Sequence, residues 1–90
     1  MPEEIDRGEL QRIVAEIFRN YARFATDDAM ARTERRSGIL LKDLTLVTLD
    51  PFLEAMRVEL SGVTEVWKAK FVIGMIRQMV LRARTQTPPS

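Results

Sequence analysis

The chain reads as an all-α protein, a small bundle of four or five helices in which the first and last are long and which a second copy can complete. Three observations predict this. Apolar residues recur at three- and four-residue spacing near both ends of the chain. Helix-capping residues (Ser, Thr, Asp) and single glycines punctuate the middle. Finally, 90 residues with 46% hydrophobic and 30% charged content suit one globular core and leave no room for a second. The expected organisation is one helical domain over residues 1–87, with 88–90 as a disordered tail.

The first element is an amphipathic helix over Leu10 to Ala25. Turning each residue by about 100° gathers Leu10, Ile13, Val14, Ile17, Phe18, Tyr21, Phe24 and Ala25 into one sector. Its other face carries Glu9, Arg12, Glu16, Arg19 and Arg23, with Glu9–Arg12, Arg12–Glu16 and Glu16–Arg19 spaced so that opposite charges meet. Continuing the same phase would place Asp28 and Arg32 in the apolar sector, so the helix breaks or bends after Ala25. Thr26 is the expected cap of a second helix, with Asp27 and Asp28 in its first turn. That helix carries Arg32, Arg35 and Arg36 around Glu34 and ends at Ser37-Gly38.

Residues 39–49 are ambiguous. Leu40, Leu44 and Val47 fit a helix, while Leu44, Leu46, Thr45 and Thr48 suit a strand. A lone strand would leave backbone groups unpaired unless it met its copy in a dimer, so a short helix or buried connector is expected. Asp50-Pro51 predicts a helix start, a capping carboxylate followed by proline where its missing N–H costs nothing. Phe52, Leu53, Met56 and Leu60 mark the buried side of this helix, and Ser61-Gly62 ends it. Thr64 is the expected cap of the last helix, which runs from Glu65 to about Arg84, and Thr85 to Ser90 should fray.

The last helix offers two apolar surfaces. Ala69, Val72, Ile73, Ile76, Val80 and Ala83 form one broad face, and Trp67, Phe71 and Met75 lie at four-residue steps on a second side. A central helix packed on both sides explains two seams, and so does a second subunit covering one of them, with twofold pairing as the default geometry. Lys70, Arg77 and Arg84, seven apart, project from nearly one side as a basic ridge about 20 Å long. Residues 63–90 hold five basic residues against one acidic, whereas residues 1–31 hold four basic against seven acidic. Overall the chain has 14 basic and 13 acidic residues, which conceals this polarity.

Several functional classes fall away. With no Cys and no His, disulfide, thiolate and imidazole chemistry and nearly all zinc or transition-metal sites are absent. Gly8, Gly38, Gly62 and Gly74 stand singly, so no glycine-rich phosphate loop forms, and Asp27, Asp28 and Glu34 lack the spacing of a Ca²⁺ loop. The expectation is therefore a non-enzymatic chain without cofactor, metal or small-molecule substrate. No positive-then-apolar leader and no spanning run is present, so a cytoplasmic protein off the membrane is expected. The expected function is a protein-interaction or assembly module, a homodimer or a small subunit of a larger complex, docking through Trp67, Phe71 and Met75. The rival expectation is a nucleic-acid-binding helical protein using Lys70, Arg77 and Arg84.

Overall fold

The computed structural model describes residues 5–23 and 28–85. In them the chain forms α1 (Arg7–Tyr21), α2 (Ala29–Ser37), a 3-10 turn (Leu41–Asp43), α3 (Leu46–Ser61) and α4 (Val66–Thr85), with no strand among the described residues. The expected all-α bundle with its long last helix is thus the observed architecture. Helix α4 packs against α1 and α3, and α2 packs on α3.

Helix α1 opens earlier than its apolar stripe, because Asp6 caps it: the Glu9 N–H donates to Asp6 Oδ2 at 3.3 Å. Leu10, Ile13, Val14 and Ile17 are buried as expected, and Arg12 bridges Glu9 (3.4 Å) and Glu16 (3.1 Å) on the wet face. Tyr21 departs from expectation. It is 45% exposed at the end of α1, where the helix stops and the stripe loses its backing. Phe24 and Ala25, and the predicted cap Thr26 with Asp27, lie outside the described residues. Asp28 precedes α2 and pairs with Arg32 at 3.1 Å. The end of α2 follows its glycine: Gly38 has φ +75°, the left-handed conformation that closes a helix, and its N–H donates to the Glu34 carbonyl.

The ambiguous stretch is a connector followed by the true start of α3. Side chains of α1 and α2 satisfy part of its backbone. Gln11 Nε2 donates to the carbonyls of Lys42 (2.8 Å) and Leu44 (3.3 Å), and the Leu41 N–H donates to Glu34 Oε2 at 2.8 Å. Leu44 is fully buried, whereas Leu40 and Val47 face solvent. Replacing Glu34 by alanine removes a charge-assisted bond that holds the connector against α2. The expected loss is about 1.5–3 kcal/mol in urea denaturation, and an unchanged midpoint would show that the bond carries no weight.

The Asp50-Pro51 start is corrected. Helix α3 begins at Leu46, capped by Thr45, which exchanges hydrogen bonds with Thr48 in a capping box. Pro51 sits inside the helix, where its missing N–H leaves the Val47 carbonyl without its helical donor. Val47 is 88% exposed, so water can serve that carbonyl instead. Thr64 is likewise one residue early as a cap, since the Glu65 carbonyl accepts from Lys68 (3.0 Å) and Ala69 (3.2 Å) to open α4.

The core is built from Phe52, Leu53, Met56 and Leu60 of α3, the α1 residues above, and Ala69, Val72, Ile73, Ile76 and Val80 of α4. The only buried polar residue among those described, Thr33, returns its hydroxyl to the Ala29 carbonyl at 3.0 Å. On the exposed side of α3, Arg57 grips Glu54 with two nitrogens, Nε at 3.0 Å and Nη2 at 2.5 Å. These hydrogen bonds, reinforced by the charges of Arg57 and Arg77 and partly opposed by desolvation, hold the Glu54 carboxyl below its ordinary 4.5. A depressed carboxylate stabilises the fold above its unfolded pKa and loses that contribution as pH falls through the folded value. An NMR titration should find Glu54 below 4.5 and Arg57→Gln should restore it; titration at the ordinary value in the intact protein would show the grip unformed.

Candidate functional site

Sandwiched between α1 and α3, helix α4 buries one face and leaves the opposite one uncovered. The buried face is the predicted one: Ala69, Val72, Ile73, Ile76 and Val80 are buried and Ala83 is partly so. The uncovered face carries Trp67 at 63% exposure, Phe71 at 51% and Leu81 at 52%. Isolated exposed apolar residues are ordinary, but these three lie on a single line of one helix, which is not.

The predicted interface residues divide. Trp67 and Phe71 belong to the exposed face, whereas Met75 is half-buried and packed against the core. Four-residue steps drift around a helix of 3.6 residues per turn, carrying Met75 toward α1. The exposed line follows alternating steps of four and three instead: Trp67, Phe71, Gly74, Gln78 and Leu81, all solvent-facing. At about 100° per residue they stay within a sector about 80° wide and span about 21 Å. This is the spacing of a coiled-coil seam. Gly74, Gln78 and Leu81 were missed because glycine and glutamine interrupt an apolar count, although the four-three alternation is present in the sequence.

Both aromatic rings are held in place. The Trp67 indole N–H donates to Glu65 Oε2, and the Lys68 ammonium lies 5.6 Å from the Trp67 ring centre. Phe71 meets the exposed Tyr21 of α1 edge to face, with centroids 6.0 Å apart. Tyr21, expected in the core, thus buttresses the outer face from the α1 side.

Among the described residues nothing requires a glycine at position 74. It lies mid-helix, and a Cβ built there meets nothing within 4 Å. Glycine in a helix interior costs about 0.5–1 kcal/mol relative to alanine. Gly74→Ala is therefore expected to raise stability by about that amount in thermal unfolding; a loss would show that the site is crowded from within.

All five charged residues of α4, Lys68, Lys70, Arg77, Arg82 and Arg84, are basic, and they flank the exposed line on both sides. The predicted ridge is only partly available. Arg77 Nη1 donates to Asp50 Oδ1 of α3 at 2.6 Å, so the residue expected to cap α3 neutralises the centre of the ridge instead. Arg84 lines a shallow groove with Arg77, Val47 and Leu81, between the start of α3 and the end of α4, and Lys70 is exposed.

Two other surface hollows are less organised. One is an open dish lined by Arg32, Arg35, Arg36 and Glu59, where Asp28 engages Arg32 and Glu59 engages Arg36 at 2.7 Å. The other lies between α1 and the connector, beside Leu40 and Leu41, and its Gln11 and Glu34 are already committed to backbone groups. Among the described residues no three acidic side chains gather as a cation site, and no helix is long and apolar enough to cross a membrane. No family model, no curated protein and no solved structure matches this chain.

Proposed function

We propose that this chain is a protein-interaction module that docks a helix of another polypeptide along the outer face of α4. The single observation that carries this reading is the exposed four-three line Trp67, Phe71, Gly74, Gln78, Leu81 on a helix already packed on its other sides. Trp67 and Phe71 have the character of interface anchors: large, amphipathic or apolar, and held before binding by Glu65, Lys68 and Tyr21, so little ordering is left to oppose association. The absence of His and Cys from the sequence supports a non-enzymatic role.

The test uses Trp67 itself, the sole tryptophan. A helical peptide carrying leucine at four-three spacing and glutamine at the flanking positions should shift Trp67 emission to shorter wavelength and saturate. Phe71→Glu should abolish the shift without unfolding the protein. Absence of any saturable shift, or binding unaffected by Phe71→Glu, would contradict the reading.

The nucleic-acid reading rests on exposed Lys70 beside two exposed aromatic rings, an arrangement suited to stacking single-stranded bases. The Arg77–Asp50 ion pair counts against it. It predicts oligonucleotide binding that falls steeply with salt and is lost when Lys70 and Arg77 are replaced by glutamine; no binding at low salt ends it.

A further inference from the structure

We draw no further inference here: the strongest candidate, the uncovered face of α4 along Trp67, Phe71 and Leu81, belongs to the docking site already described, and nothing in the structure shows what covers it, since Arg77 pairs with Asp50 and Arg82 and Arg84 have partners of their own.

Discussion

Phe52→Ala is expected to cost about 3–5 kcal/mol of folding free energy, because the ring is fully buried and its removal leaves a cavity that the rigid contact between helices cannot close. Phe52 belongs to the core that joins α3 to α1 and α4. A domain of this size has a total stability on the order of 5–15 kcal/mol, so the loss takes much of it. At about 4–8 °C per kcal/mol, the melting temperature should fall by roughly 12–40 °C. A drop of only a few degrees would mean that the helices repack around the gap and that the core is less tightly specified than its burial indicates.

The second large effect is on binding and leaves the fold nearly untouched. Phe71→Glu exposes no core: the ring is 51% exposed and its described ring contact is the edge of Tyr21. Losing that contact should cost at most about 0.5–1.5 kcal/mol of stability. Placing a carboxylate within the docking line, one turn from Trp67, should weaken association by about 2 kcal/mol or more, near thirtyfold, as loss of an anchor residue does. The two phenylalanines thus separate core from interface. Phe52→Ala predicts a protein that binds when folded but unfolds easily, and Phe71→Glu predicts a folded protein that does not bind. Circular dichroism and peptide titration on the same two variants check both, and unfolding of Phe71→Glu would place that ring in the core.

Most of the fold was legible because burial follows helical spacing. Ile13, Val14 and Ile17 of α1 and Val72, Ile76 and Val80 of α4 are buried where their periodicity put them. The Gly38 stop was equally direct, since a left-handed residue after a helix favours glycine. The start of α3 was misread because two cap signals compete. Asp50-Pro51 is locally the stronger, but Thr45 and Thr48 can satisfy each other reciprocally, and Val47, exposed to water, tolerates the proline one turn later. Arbitration between them comes from packing: starting at Leu46 buries Leu49 with Phe52 and Leu53. Leu44 entered the core through the connector, held by Gln11 and Glu34 across more than one element. Long-range bonds of that kind leave no periodic trace in a sequence.

The candidate site was legible in part. Two exposed aromatic residues on the second side of the last helix follow from spacing alone, and both lie on the outer face. The extension through Gly74 and Gln78 to Leu81 was hidden, because an apolar tally discards a glycine and a glutamine. Only the observed burial of the opposite face, the half-burial of Met75 and the open space beside Gly74 distinguish the four-three line from the four-residue stripe. The basic ridge shows the opposite error. Lys70, Arg77 and Arg84 were read as one surface, but Asp50, placed inside α3 and away from its start, engages Arg77.

Acrylamide quenching of Trp67 tests the central claim most directly, measured on the free chain and again with a saturating amphipathic helical peptide. Trp67 should be readily quenched in the free protein, as its 63% exposure requires, and strongly protected once the helix is bound, with protection lost in Phe71→Glu. Protection already complete in the free monomer, or quenching unchanged when the helical peptide is present at saturating concentration, would contradict the claim that the outer face of α4 is a docking surface.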